Sequence, residues 1–295
     1  MQFLALVLIL AGRSLPNKNI PDFDVVIVVD ESGSTEAMMP DGSGKTRFQA
    51  EKEAVTSMVD SLFPEDQPQN PNLRMGLIGH SGPIDHAHGL SSNKAEVQTY
   101  VDAIDVYGET YSHWGLEAGF NMITGVWNGF YPPTKLCGID GKPKYCLAER
   151  NTGVPGPATY RDDGAQLSKV KYLVFITDGE IMHQALPCWG GIEWYNKYPA
   201  LYTDDPMQYG APVPAAPPPG VCNNYPEFLE QCTNLKKSGV TVFTINFAEK
   251  DPEGLATMTA CASTPDKYFF APDGDTLKNI LNGIAKKASK VRITE

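Results

Sequence analysis

Residues 24–34 read DVVIVVDESGS, an unbroken apolar run that ends in a carboxylate and a short polar segment. A continuous apolar run of this length is typical of a strand that is buried on both faces, as in a parallel sheet covered by helices. Four comparable runs follow: RMGLIGH at 74–80, KYLVFITD at 171–178, VTVFTINF at 240–247 and KYFFA at 267–271. These five segments predict the strands of one mainly parallel sheet.

Helical patterns separate these strands. We expect helices at 47–62, 94–104, 112–126, 226–237 and 276–289, where apolar residues recur at helical spacing. Strands that alternate with helices predict an α/β fold, in which a doubly wound, mainly parallel sheet carries helices on both faces.

The middle of the chain has a different composition. Residues 131–226 hold 14 of the 24 prolines, and APVPAAPPPG at 211–220 is of low complexity. We predict one domain at 22–295 that carries two long insertions, at 129–168 and 181–223. Residues 1–21 form a separate, apolar N-terminal segment.

The charge of the chain limits its partners. The sequence has 24 Lys and Arg against 35 Asp and Glu, which gives a net charge of −11. An anionic protein is poorly suited to nucleic acid or to anionic lipid, because both require a basic surface. We therefore expect no nucleic-acid partner, whereas metal cations fit this charge.

The N-terminal run MQFLALVLILAG at 1–12 is shorter than the roughly 20 apolar residues that span a bilayer. It is long enough for the apolar core of a signal peptide, although no basic segment precedes it. Two interpretations stay open: a buried strand or helix, or the remnant of an export signal or membrane anchor. With the second, we expect an exported protein of the periplasm or cell surface, held to the membrane by this segment.

Six cysteines, an even number, contain no CxxC pair, so the spacing of a zinc ribbon or zinc finger is absent. We favour disulfides formed in an oxidising compartment over reduced thiols. Cys137 and Cys146 flank a loop rich in Lys, Pro and Gly, and a Cys188–Cys222 bridge would close the proline-rich insertion. The pairing of these four cysteines stays open.

A set of oxygen-bearing side chains follows the predicted strands. Asp30, Ser32 and Ser34 form a DxSxS pattern at the end of the first strand, and Asp178 ends the strand at 171–178. Thr110 precedes a predicted helix and adds a hydroxyl. In open α/β sheets, ligands bind outside the carboxyl ends of the strands. Hard oxygen donors there favour Mg²⁺, with Mn²⁺ or Ca²⁺ as alternatives.

These residues resemble the metal-ion-dependent adhesion site of von Willebrand factor A domains. The five residues Asp30, Ser32, Ser34, Thr110 and Asp178 match its five positions. The resemblance implies a non-enzymatic, metal-dependent binding module. One divalent ion would keep an open coordination position for the acidic side chain of a protein ligand.

The chain is also similar to the tight-adherence (Flp/Tad) pilus-assembly proteins of the TadG-like type that carry this domain. The similar features are Trp-Gly-Leu at 114–116, the cysteine helix with Gln-Cys at 231–232, and Ala-Cys-Ala-Ser-Thr-Pro at 260–265. This resemblance implies a disulfide between Cys232 and Cys261. It also implies pilus or envelope components as partners, and a function in pilus assembly or surface adhesion.

A hydrolase is the main alternative. The segment GSGKT at 42–46 resembles the end of a phosphate-binding loop, so Lys45, Thr46 and Asp178 could act on a nucleotide or in a metal-assisted hydrolysis. Met39 stands where that motif needs a glycine, and Lys45 lies 15 residues beyond Asp30. We therefore favour a polar loop before a helix. A secreted structural module with an incidental metal is a third alternative.

Candidate contacts for a protein ligand come from aromatic and histidine residues. Trp189 and Trp194 lie in the tyrosine-rich second insertion, and His113 follows Thr110 closely. Each has a structural alternative, packing for the tryptophans and a helix start for His113. His86 and His88 lack a third ligand for zinc, and we expect them on an exposed loop.

Overall fold

The computed structural model describes residues 23–81, 86–106, 112–124, 170–178, 225–248 and 252–290. Their six strands form one sheet in the order β3-β2-β1-β4-β5-β6. All neighbouring pairs are parallel except β2 and β3. The strands are β1 (Phe23–Asp30), β2 (Leu73–His80), β3 (His86–Ser91), β4 (Val170–Thr177), β5 (Thr241–Phe247) and β6 (Tyr268–Ala271).

The α-helices of the described segments connect and cover these strands. They are α1 (Arg47–Leu62), α2 (Lys94–Ala103), α3 (Ser112–Thr124), α4 (Tyr225–Lys237), α5 (Pro252–Cys261) and α6 (Gly274–Lys290). Helices α1, α2 and α6 pack on one face of the sheet, and α3, α4 and α5 pack on the other. The predicted fold class, a doubly wound and mainly parallel α/β sheet, is confirmed.

Strand β1 is the centre of the molecule. All eight of its residues are buried, and it pairs with β2 on one side and β4 on the other. Val25, Ile27 and Val29 pack toward α1, α2 and α6, while Val26 and Val28 pack toward α3, α4 and α5. Burying an aliphatic side chain of this size stabilises a fold by about 1.5–3 kcal/mol. The strand therefore holds both layers of the core together.

Two elements differ from the sequence predictions. The segment of His86 and His88 was expected to be an exposed loop, and this is wrong: it forms β3, antiparallel to β2. His88 is buried, and its ring stacks on Tyr100 with ring centroids 4.4 Å apart. The helix α5, Pro252–Cys261, was not predicted, although Pro252 is a typical first residue of a helix.

Helices α4 and α5 are joined covalently. A disulfide links Cys232 to Cys261, with 5.1 Å between their Cα atoms, at the pair that the family resemblance implies.

The cysteines at 137, 146, 188 and 222 lie outside the described residues, as do segment 1–21 and both predicted insertions. Within the described segments, no helix combines the length and the apolar character needed to cross a membrane.

Candidate metal centre

Two neighbouring strands bring Asp30 and Asp178 to one edge of the sheet. Asp30 is the last residue of β1, and Asp178 directly follows β4. The two strands are parallel and in contact along their length, so their carboxyl ends meet. Both side chains are almost fully buried there.

The first loop holds Asp30 and Ser32 in a fixed arrangement. The Ser32 N–H donates to Asp30 Oδ1 at 2.9 Å. On the other side of the carboxylate, Thr177 Oγ1 donates to Asp30 Oδ2 at 2.8 Å. The Ser32 carbonyl accepts from Thr35 Oγ1 at 2.6 Å, which fixes the short 3₁₀ turn Gly33–Glu36. Both strand ends thus orient the Asp30 carboxylate.

The serine hydroxyls connect the two loops. Ser32 Oγ and Ser34 Oγ lie 2.8 Å apart, and Ser34 Oγ donates to Asp178 Oδ1 at 2.9 Å. The other oxygen of Asp178, Oδ2, accepts from Arg47 Nη1 at 3.0 Å. Four of the five predicted ligand residues, Asp30, Ser32, Ser34 and Asp178, therefore form one continuous polar cluster. The fifth, Thr110, lies outside the described residues.

The donors of this cluster fit a hard divalent cation. Carboxylate and hydroxyl oxygens are the ligands that Mg²⁺, Mn²⁺ and Ca²⁺ prefer. Across the described part of the chain, no three His, Cys, Asp or Glu side chains converge as a metal-holding group. In the cluster at the sheet edge, Asp30 and Asp178 provide carboxylate oxygens, and Ser32 and Ser34 provide hydroxyl oxygens. The arrangement differs in this way from zinc sites built from imidazole or thiolate.

Two further buried carboxyl groups lie behind the cluster, and the sequence analysis did not identify them. Glu51 of α1 accepts from the Asp30 N–H at 3.3 Å. Glu31 accepts from the Asp105 N–H at 3.1 Å, and its carboxyl group lies against Gly79, where any Cβ would come within 2.1 Å of it. Gly79 therefore provides the space for this side chain. Glu51 lies among the buried residues of α1, and a charged residue in that position is the sign from which the sequence analysis could have identified it.

The electrostatics reflect this concentration of negative charge. Burial, and secondly the charge of Asp30, raises the pKa of Asp178 to about 6, against the opposing hydrogen bonds from Ser34 and Arg47. Burial, and then the charge of Asp30, also raises the pKa of Glu51 well above its usual range. A bound cation would relieve this repulsion, because it stabilises ionised carboxylates.

Of the three predicted ligand contacts, only His113 lies among the described residues. His113 lies in α3 and is 9% exposed, so little of its surface is open to a protein ligand, and its contact function stays a prediction. Burial, and secondly the nearby His80, lowers the pKa of His113 to about 3. Trp189 and Trp194 lie outside the described residues, and their contact function stays a prediction.

The residues of the hydrolase alternative have other partners. Lys45 Nζ contacts Glu53 Oε2 at 2.5 Å. The Thr46 side chain accepts from the Gln49 N–H at 3.1 Å, while Gln49 Oε1 accepts from the Thr46 N–H at 3.0 Å. This reciprocal pair is a capping box, which starts α1. Thr46 thus caps α1, and the Lys45 side chain contacts Glu53 and not Asp178.

Comparison with protein families agrees with this geometry. Residues 25–131 match the von Willebrand factor type A domain. The match covers β1 with its DxSxS loop and ends before β4, which supplies Asp178. The structure completes the sheet beyond the matched region with β4, β5 and β6. Among curated proteins, the comparison finds no match.

Solved structures share the fold at low sequence identity. The pilus adhesin SpaC from Lactobacillus rhamnosus GG, in its open conformation, superposes with a TM-score of 0.55 at 20% identity over 92% of this chain. The chain spans only 30% of the SpaC chain. The vWF domain of the type V pili tip protein Mfa5 from Porphyromonas gingivalis gives a TM-score of 0.55 at 13% identity, over 94% of this chain and 97% of that one. At these identities the likeness concerns the fold.

Proposed function

We propose that this chain is a non-enzymatic adhesion module that binds a protein ligand through a divalent cation. Mg²⁺ is the first candidate, and Mn²⁺ and Ca²⁺ are the alternatives. Asp30, Ser32, Ser34, Thr110 and Asp178 would hold the ion, some of them through water. The observation that carries the proposal is the convergence of the DxSxS loop and Asp178 into one hydrogen-bonded cluster at the sheet edge.

The chemistry of the cluster explains why the ligand should be acidic. A divalent ion and the carboxylates of Asp30 and Asp178 would together have no net charge, so the guanidinium of Arg47 beside Asp178 would leave this group with one net positive charge. A carboxylate from a partner can complete the coordination shell and neutralise that charge. The protein's own residues orient the ion: Thr177 and the Ser32 amide fix Asp30, and Ser34 spans the gap to Asp178.

A surface location fits the same proposal. The fold relatives named above include a pilus adhesin and a pilus tip protein. We propose that this chain is exported and works at the periplasm or cell surface, with pilus or envelope components as partners, and that residues 1–21 direct or anchor it. The finer assignment to tight-adherence pilus assembly belongs to this proposal as well.

Calorimetric titration with Mg²⁺ and Mn²⁺ tests the cation site. We expect binding by the wild-type chain and none by Asp30→Ala, because that change removes a buried carboxylate at the centre of the cluster. Asp66→Ala is the matched control: this exposed aspartate lies four residues beyond the far end of α1. Equal binding by wild type and Asp30→Ala would refute the site.

Ligand binding is tested with the immobilised chain and an envelope extract. We expect a set of retained proteins that is lost with EDTA, with Asp30→Ala and with Thr110→Ala, but is kept with Asp66→Ala. Proteins retained in all of these conditions bind elsewhere on the chain. If every retained protein behaves in that way, the cation does not mediate recognition.

A further inference from the structure

Arg47 brings a positive charge to the site that the cation would occupy. Its Nη1 donates to Asp178 Oδ2 at 3.0 Å, and the two side chains are only 14% and 4% exposed. The position of Arg47 is fixed by the backbone, since its N–H donates to the Ala37 carbonyl at 2.9 Å and the capping box at Thr46 starts α1 immediately before it. The ion pair is therefore built into the start of the helix.

The Arg47–Asp178 ion pair extends the hydrogen-bond network of the cluster. Ser32 contacts Ser34, Ser34 donates to Asp178, and Asp178 accepts from Arg47. A buried carboxylate without a partner charge is strongly destabilising, and Arg47 supplies that charge. The same guanidinium would repel a divalent ion bound to this carboxylate, and solvent screens charges at a buried site poorly.

We propose that Arg47 is an internal counter-cation, which stabilises the cation-free site and weakens its affinity for a divalent ion. This inference rests on the proposed function and adds a means of regulation to it. The carboxylate of an acidic ligand brings negative charge and offsets the repulsion. Ligand and cation then bind with positive coupling, each raising the affinity for the other.

Arg47→Met removes the charge and keeps an unbranched chain of similar length. We expect the Kd for Mg²⁺ from calorimetry to tighten at least tenfold, at pH 8 so that proton uptake by Asp178 does not compete. We expect the melting temperature of the cation-free chain to fall, because Asp178 loses its partner. The variant should therefore bind Mg²⁺ more tightly, although its cation-free fold is less stable. An arginine that only positions Asp178 would, on removal, weaken Mg²⁺ binding and lower the melting temperature together.

Three further variants isolate the charge. Arg47→Gln is neutral but keeps a hydrogen-bond donor for Asp178, so it should also bind Mg²⁺ more tightly, with a smaller loss of stability. Arg47→Lys keeps the charge and should stay within about threefold of the wild-type affinity. Lys45→Met removes a positive charge two residues away, from a side chain that is 44% exposed and pairs with Glu53, and should have no effect on the Kd.

The outcomes separate the two proposals. If the wild-type chain binds no divalent ion, the proposed function itself fails. If the wild type binds Mg²⁺ while Arg47→Met and Arg47→Gln bind it equally or more weakly, the cation site stands and the counter-cation inference is overturned. Equal tightening by Lys45→Met would overturn it too, because the effect would then come from general surface charge.

Discussion

Buried carboxyl groups at the sheet edge must each have a local reason to exist, because a buried charge is costly without partners. Asp30 is held by a backbone amide and a threonine hydroxyl, and Asp178 by a serine and an arginine. Glu51 is held differently. Its raised pKa favours the neutral acid, which keeps a carbonyl oxygen for the Asp30 amide. Each of these three carboxyl groups therefore has a hydrogen-bond partner at the sheet edge.

At the residue scale, His113 should make the fold sensitive to acid. Its pKa is lowered from 6.5 to about 3 in the folded state, so between these values the unfolded chain binds more protons than the folded one. Stability from this group is fully present above pH 6.5 and is lost as the pH falls toward 3. At pH 5 the loss should be about 2 kcal/mol, at about 1.4 kcal/mol per pH unit.

Urea unfolding at pH 7.5 and pH 5 measures this loss. His113→Gln cannot take up the proton, so its stability should decrease less between the two pH values than that of the wild type. Comparing the decreases, rather than the stabilities, cancels any packing cost of the substitution. Equal decreases in the two proteins would show that His113 takes up protons to the same extent in the folded and unfolded states, and would contradict the lowered pKa in the folded state.

The sequence predicts the ligand residues better than it predicts Arg47 and Glu51, which hydrogen-bond to them. The four described ligand residues lie at or just after the carboxyl ends of two strands, and the parallel arrangement of these strands brings such positions together. Arg47 and Glu51 act from α1, and their approach to the site depends on how that helix packs over the sheet. Helical periodicity says which residues share a face, but not which strand end that face will meet.

At the scale of elements, five of the six strands were predictable because each is an apolar run. Strand β3 has two histidines and a glycine in six residues, and it pairs only with β2, so no apolar run marks it. The helix α5 is short and contains two threonines and a glycine, which weaken its helical pattern. Contacts with neighbouring elements, and not local sequence preference, therefore determine that β3 and α5 form.

Two glycines on opposite faces of the sheet should respond in opposite directions to the same substitution. Gly239 has a φ of +75° and ends α4 in a Schellman motif, in which the Val240 N–H donates to the Leu235 carbonyl at 3.1 Å. Gly283 lies inside α6, where a Cβ would meet nothing within 4 Å. We expect Gly239→Ala to destabilise the fold by about 1–2 kcal/mol. Gly283→Ala should stabilise it by about 0.5–1 kcal/mol.

Thermal unfolding followed by circular dichroism distinguishes these changes. The two variants should shift the melting temperature to opposite sides of the wild-type value. Shifts of the same sign would mean that the left-handed turn after α4 is not required, or that α6 does not benefit from the better helix former.

At the scale of the whole molecule, the site depends on parts of the chain that are distant in sequence. Ser34 and Asp178 are 144 residues apart and share a hydrogen bond. The segment that matches the von Willebrand factor type A domain ends at residue 131, before β4 begins. Strand β1 therefore needs a neighbour from outside the matched segment, both for its pairing and for the fourth described ligand residue.

A fragment of residues 1–131 should accordingly neither fold nor bind the cation. Without β4, one edge of β1 loses its hydrogen-bonded partner, and Val25 to Val29 lose part of their cover on both faces, since α4, α5 and α6 are missing too. An apolar strand with an open edge is prone to aggregation. We expect no cooperative thermal transition and no heat of Mg²⁺ binding from the fragment, whereas the full chain gives both under the same conditions. A cooperative transition in the fragment would show that β1, β2 and their helices form a core of their own, and Mg²⁺ binding by it would show that Asp178 is dispensable.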